Sequence, residues 1–504
     1  MSDGTRPCAS PDRLEVVTAP DEPEDRPPYV PDPRRWRVLG VLSLALFMAL
    51  IDVSIVNVAL PSIRDGLDAS ESDLQWVLSG YALTFGVILV AAGRAGDIFG
   101  RGALFLAGVV VFTGSSVWAG VASDPLWLNV ARAFEGVGSG LISPQVVGMI
   151  QQYFRGAERG RAFGIFGSVV GASVAVGPVL GGLLIHFFGV QNGWRWVFFV
   201  NIPFGVLTVV MALVWFPRPL WIRHRGQAAT ARSRGRDLDP VGSVLLGLAV
   251  LAILLPFMES GQSPLVWIAL PAGLGLVAVW LGWERWYLRR GHSPMVDLRI
   301  FRYASFSNGT LLIGLYFLGI TSIWVLVALY FQEGLGHSAL AAGIIGLPSA
   351  ILSGLSALIA GRLVAHWGRA LVIAGMWVVL AGLAASMLVV ILHSRGLASE
   401  WWWFATLSLI GIGQGAVISP NQALTLSEVP LAYAGSSGGV MQTIQRIGTS
   451  MGIAIITAIT FAVLADAGWS AAFTVGFAVI GVIVVLALIV GYVDLHARRG
   501  GPVL

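Results

Sequence analysis

Apolar positions in this chain neither alternate nor recur every third or fourth residue. They run together in long blocks near 38–60, 74–93, 103–122, 126–149, 162–186, 196–216 and 240–258, then near 265–283, 304–331, 340–361, 370–392, 401–425, 437–464 and 470–492. Each block approaches the roughly 20 residues that a helix needs to cross a hydrocarbon core of about 30 Å. Helices are the form such blocks must take, because lipid offers no hydrogen-bond partner to a backbone amide. A β-barrel would show short alternating strands instead, and is excluded. The pattern therefore predicts an all-α integral membrane protein with fourteen spans.

The polar segments between blocks give the orientation. Every one of the 31 basic residues is arginine. With the N-terminus inside, all of them fall on cytoplasmic segments except Arg64, Arg195 and Arg395 in outer loops and Arg132 and Arg446 within spans. That asymmetry obeys the positive-inside rule with both termini cytoplasmic, and a miscount by one span would scramble it. The net charge of +4 thus follows from topology and gives no reason to expect nucleic-acid binding.

Composition narrows the chemistry. Only 12% of the 504 residues are charged, about half the usual share for a soluble chain. The absence of lysine rules out a Walker phosphate-binding loop and any Schiff-base cofactor, and it fits a GC-rich bacterial genome. The single cysteine, Cys8, cannot form an intramolecular disulfide, and the seven histidines are scattered without a ligand pair. No metal and no cofactor is expected.

An internal echo divides the chain. Gly93-Arg94-Ala95-Gly96-Asp97-Ile98-Phe99-Gly100-Arg101 recurs as Gly361-Arg362-Leu363-Val364-Ala365-His366-Trp367-Gly368-Arg369, with Ala365 in place of the acid. Gly136, Gly138, Gly140 and Pro144 are echoed by Gly411, Gly413, Gly415 and Pro420. The expected organisation is a disordered Pro-rich tail over 1–37, a six-helix bundle over 38–216, and a basic loop over 217–239. An inserted helix pair follows over 240–284, a loop over 285–303, a second six-helix bundle over 304–492 and a tail over 493–504. Repeat-built halves are how many secondary transporters place a site at the bilayer midplane. No apolar stretch precedes Val38, so the tail is not expected to be a cleavable signal.

From Val38 to about Tyr492 the chain resembles the major facilitator superfamily, and within it the fourteen-helix drug:proton antiporters. Four segments carry the resemblance. Gly93, Arg94, Asp97, Gly100 and Arg101 match the loop signature that holds the inner gate shut in that family. Gly177-Pro178-Val179-Leu180-Gly181-Gly182 matches the element that marks exporters. Leu50–Pro61, with Asp52 inside the span, matches the drug exporters' first helix. Asn129–Gly140, with Arg132, matches their fourth, but carries Glu135 where glutamine is usual. Shorter likenesses lie in Trp194–Gly205 and in Gly439–Gly452, where Gln442 and Arg446 stand one turn apart.

A carboxylate in the membrane costs at least about 2.5–3.5 kcal/mol, so it is a functional candidate by default. Arg132 and Glu135 share a helix face, and Asp52 and Arg132 sit at similar depths, roughly 9–12 Å by a rise of about 1.5 Å per residue. An Asp52–Arg132–Glu135 proton-coupling cluster is therefore geometrically possible, with the adjacency of spans one and four implied by the resemblance. Gln442 and Arg446 are candidate cavity groups. Trp401-Trp402-Trp403 read as interfacial anchors. Asp237-Leu238-Asp239 looks superficially like a glycosyltransferase metal site, but Asp239-Pro240 is better read as a helix cap.

These features imply a monomeric secondary transporter of the cell membrane, exporting lipophilic small molecules such as drugs or antibiotics in exchange for protons. Proton-coupled uptake is the alternative on the same fold. A membrane enzyme or sensor would need an extramembrane domain, and no loop is long enough to house one. On the arginine distribution, reporter fusions after Arg236 and Arg290 will read cytoplasmic, and fusions near Glu333 and Arg395 exterior. An exterior signal at Arg236 would break the fourteen-span scheme.

Overall fold

The computed structural model describes residues 31–189, 191–220, 237–258 and 264–497. Among these there is no β-strand. The helices are α1 (Arg35–Leu67), α2 (Glu71–Phe99), α3 (Arg101–Gly120), α4 (Pro125–Tyr153), α5 (Gly156–Phe188), α6 (Gly193–Phe199) and α7 (Asn201–Trp215). They continue as α8 (Pro240–Met258), α9 (Ala269–Arg289), α10 (Ala304–Ile320), α11 (Ser322–Leu329), α12 (Ala339–Trp367), α13 (Arg369–Ser394), α14 (Trp403–Thr425) and α15 (Ala434–Ala497).

Twelve helical stretches are long and apolar enough to cross a membrane. The apolar blocks and this tally differ for two physical reasons. The stretch Leu431–Ala497 counts once although it bends at Gly468, whose φ of 77° and ψ of 173° break the helix. Glycine populates that region freely, whereas a side chain would resist it. Helix α4 is missing from the twelve because Asn129, Arg132, Glu135 and Gln145 dilute its apolar character, yet all but Asn129 of these are buried.

Several helices overrun the segment limits expected from hydropathy. Helix α1 starts at Arg35, inside the expected tail, and Arg35 closes a two-pronged ion pair with Glu158 of α5 at 3.0 and 2.9 Å. Helix α9 runs to Arg289 and α15 to Ala497, each past its expected end. Residues 1–30 of the tail, 221–236 of the basic loop and the chain after Ala497 lie outside the described residues.

Packing separates two groups of helices. In the first, α1 packs on α5 and α7, and α4 on α2 and α3; in the second, α15 packs on α10 and α13, and α14 on α12 and α13. The groups meet along two seams, α5 against α12 and α2 against α15. Helices α8 and α9 pair with each other, and α8 rests on α2 and α15. The bland reading of Asp239 holds: its carboxylate accepts from Gly242 N at 2.8 Å as α8 begins at Pro240.

Candidate functional site: a buried charge cluster beside a cavity

Five helices bring polar groups to one point in the first group. Arg132 of α4 extends Nη1 between two acids, 2.6 Å from Asp52 Oδ2 of α1 and 2.6 Å from Glu135 Oε2 of its own helix. Its Nε donates to the carbonyl of Val77 on α2 at 3.0 Å. Asn201, the first residue of α7, donates from Nδ2 to Asp52 Oδ1 at 2.8 Å and to Ser116 Oγ at 3.2 Å. Ser116 of α3 donates to Glu135 Oε1 at 2.5 Å. Asp52, Glu135, Ser116 and Asn201 are fully buried and Arg132 is 1% exposed. The cluster therefore holds two carboxylates against one guanidinium in a site shut off from solvent, an arrangement that carries one negative charge too many unless a proton joins it.

Tyr81 of α2 stands between this cluster and an open space. Its ring covers Arg132 at 4.5 Å, and its hydroxyl hydrogen-bonds Ser139 Oγ at 2.7 Å. On its far side lies a cavity of about 230 Å³ between the two helix groups, walled by Tyr81, Phe85, Phe166 and Phe317 and by Gln442 and Arg446 of α15. Arg446 lies over the Phe85 ring at 4.4 Å, and Gln442 Nε2 reaches Ser143 O at 3.4 Å. Tyr81 and Phe85 are parallel, with centroids 6.1 Å apart. The two arginines thus bracket an aromatic pair on α2, one facing the cluster and one facing the cavity.

At one end of the molecule the groups are locked together. Asp97, in the last turn of α2, accepts from Arg101 at 3.1 and 2.7 Å, and also from the backbone amides of Gly435 at 2.9 Å and Ser436 at 3.0 Å. Those amides are the free N–H groups at the start of α15, where the helix dipole favours an anion. Arg101 extends the link by donating to Leu431 O at 2.7 Å and to Gln152 Oε1 at 2.9 Å. Gly93 lies against Gly435 so closely that a side chain on either would strike the other's backbone carbonyl. On the α5–α12 seam, Gly164 packs closely on Gly361 and Gly171 on Gly354, and an apolar crevice of about 600 Å³ lies along the same helices by Val179 and Leu183. The structure is closed at the Asp97 end.

Comparison with known proteins agrees with this architecture. The model of the Major Facilitator Superfamily matches residues 42–453. The chain belongs to the Major Facilitator Superfamily. Among its relatives are a probable actinorhodin transporter of Streptomyces coelicolor, 31% identical over 87% of this chain and 74% of that protein, and the puromycin resistance protein pur8 of Streptomyces alboniger, 31% identical over 93% and 91%. The tetracenomycin C resistance and export protein of Streptomyces glaucescens is 29% identical over 84% of this chain and 75% of its own length. Among solved structures, the proton:xylose symporter XylE superposes with a TM-score of 0.62 over 90% of this chain and 94% of that one, at 15% identity, which establishes the fold. This superfamily member is a multi-pass membrane transporter.

Within the superfamily frame, the remaining motif residues take definite places. Of the two arginines flanking Asp97, only Arg101 bonds to it; Arg94 turns to the carbonyl of Asp237 at 3.3 Å. Gly100 makes the turn into α3 at a φ of 111°. Gly177 packs on Ser54 and Gly181 on Ile55 and Val58, so the Gly-Pro element of α5 seats α1 just beside Asp52, while Gly182 faces open space. Pro178 lies inside an unbroken helix. In the echo, Arg369 finds its acid elsewhere: it bonds Asp494 Oδ2 at 2.5 Å and Asn421, both within the second group. At the Asp97 end, Asp297 accepts from Arg299 and from Tyr433, which precedes α15. Burial would raise this carboxyl, but those hydrogen bonds outweigh it and hold it below the usual range.

Sequence reasoning passed over Asn201, Ser116 and Tyr81. Asn201 had a signal, an amide in the middle of an apolar run, whereas Ser116 and Tyr81 had none that separates them from ordinary membrane-helix residues. Glu284, near the end of α9, is buried. Trp401 and Trp402 are exposed, but Trp403 is 1% exposed and stacks on Tyr330, so it belongs to the core rather than an interface.

The latch gives a direct expectation. Asp97→Asn keeps the shape but loses the charge at the α15 N-terminus, where a hydrogen bond to a charged group contributes about 1.5–3 kcal/mol. Transport will fall while insertion and detergent melting temperature stay near wild type. Unchanged transport would mean that the latch has no part in the cycle.

Proposed function

We propose that this chain is a proton-driven exporter of lipophilic small molecules, drugs or antibiotics, working as a monomer in the bacterial plasma membrane. In this reading it crosses the bilayer fourteen times with both termini in the cytoplasm, the two bundles span 38–216 and 304–492, and the Asp97 end faces the cytoplasm. It performs no covalent chemistry and uses no cofactor, the proton gradient being its energy source. The relatives named for antibiotic export and resistance support the substrate class.

The observation that carries the proton is the shared guanidinium. Arg132 is bonded to both Asp52 and Glu135 in a dry site, so adding a proton removes the excess charge and the cluster as a whole, rather than either acid, owns the titration. Asp52 accepts from Arg132 and from Asn201 Nδ2, whose own Oδ1 is a buried acceptor without a partner among the described residues. Glu135 faces Ser116, whose hydroxyl can donate or accept, so its protonated form has somewhere to place its hydrogen. Loading and unloading the proton from alternate sides then biases the two conformations, in one of which the Asp97 latch is closed.

Charge arithmetic also predicts the variants. In Asp52→Asn, Glu135 still balances Arg132, so the protein folds, but the neutral cluster has lost its reason to take a proton. Vesicles with this variant will not pump uphill under an imposed pH gradient, while downhill exchange survives. Glu135→Gln leaves the same charge count, Asp52 against Arg132, so charge alone does not separate it from Asp52→Asn; it restores the residue usual in the resembling exporters, and on that ground it should be milder. Uphill pumping by Asp52→Asn at the wild-type rate would make Asp52 structural and overturn the assignment.

A further inference from the structure

The cavity differs in sign from the cluster behind it. Among the residues that wall it there is no aspartate or glutamate, and Arg446 is its one charged group. Among the described residues, neither an ion pair nor a hydrogen bond engages the Arg446 guanidinium, which lies over the face of Phe85. That leaves a positive charge at the depth of a membrane helix, largely buried beside the cavity, where isolated charges are costly and mark substrate pathways. The carboxylates of the cluster do not offset it from the cavity side, since they are fully buried and committed to Arg132 behind the Tyr81 ring. The neutral polar groups nearby are also under-used: Gln445 Nε2 is a buried donor and Gln422 Oε1 a buried acceptor, both without a partner. Four aromatic rings complete the wall.

We infer that the substrates of this transporter are lipophilic organic anions: flat, aromatic molecules whose ionised carboxylate or acidic phenol pairs with Arg446. This rests on the export reading above and specifies its substrate. Guanidinium is suited to the task, because it is planar, weakly hydrated and able to bind a carboxylate with two donors at once. A lipophilic cation would meet Arg446 with no compensating acid in reach. Anion export also suits the energetics, since an interior-negative membrane potential drives an anion outward by about 2.3 kcal/mol per charge per 100 mV. An anion that draws Arg446 away from Phe85 acts on the same helix whose Tyr81 covers Arg132, which gives the two sites a physical link through α2.

The test uses three probes of one shape: anthracene-2-carboxylate, its neutral carboxamide and the cationic 2-aminomethylanthracene, each titrated against purified full-length protein by fluorescence. Wild type will bind the carboxylate at least about tenfold more tightly than the carboxamide, as expected for one charge-assisted contact, and the cation most weakly. Arg446→Gln will erase the preference, leaving carboxamide affinity unchanged as evidence that the cavity is intact, and Arg446→Lys will restore part of it. Tightest binding of the cation, or a carboxylate preference that survives in Arg446→Gln, overturns the inference. The failures are separable in vesicles. Proton-driven export of the cation alone would sink the anion assignment and keep the export reading, whereas carboxylate moved only inward with protons would sink the export reading and keep the anion assignment.

Discussion

The costliest feature of this molecule is three ionisable side chains closed inside a membrane protein with one arginine for two acids. A charge buried without a partner would cost several kcal/mol, so every neighbour of Arg132 is fixed by that requirement. Helix α1 must bring Asp52, α4 both Arg132 and Glu135, α7 Asn201, α3 Ser116 and α2 a carbonyl and an aromatic lid. The small residues of α5 serve the same end: by letting α1 settle on Gly177 and Gly181, they hold Asp52 at ion-pair distance from Arg132. The packing of the first helix group and the chemistry of its centre are thus one constraint.

Among the described residues, the second group shows a different buried pair, Arg369 with Asp494 at 2.5 Å. It contributes instead the N-terminus of α15 that Asp97 grips and the arginine that faces the cavity. The two groups divide the parts: the first holds the Asp52–Arg132–Glu135 cluster and the latch's acid, the second the receiving helix end and the cavity charge.

Much of this was legible in the sequence because membrane helices announce themselves by length and because a charge inside an apolar run has few innocent explanations. Asp52, Arg132 and Glu135 were found on those grounds, and Asp97 on the strength of a nonapeptide that recurs. What stayed hidden depended on which helix lies beside which. Ser116 and Tyr81 look ordinary until α3 and α2 are placed against α4. The echo carries Ala365 where the first copy has its acid, and Arg369 pairs instead with Asp494, far along the chain, which no local pattern announces. Trp403 looked like its neighbours Trp401 and Trp402, and only the turn of α14 sends it inward.

The central claim is that the Asp52–Arg132–Glu135 cluster binds a proton. Infrared spectroscopy of the purified protein reads this without any transport assay, since a protonated carboxyl has a carbonyl stretch that a carboxylate lacks. The account predicts a carboxylic-acid band in the wild-type protein that is lost when Asp52→Asn and Glu135→Gln are combined. A carboxylic-acid region identical in wild type and the double variant would show both acids ionised around Arg132, and the cluster would then be a structural tie rather than a proton site.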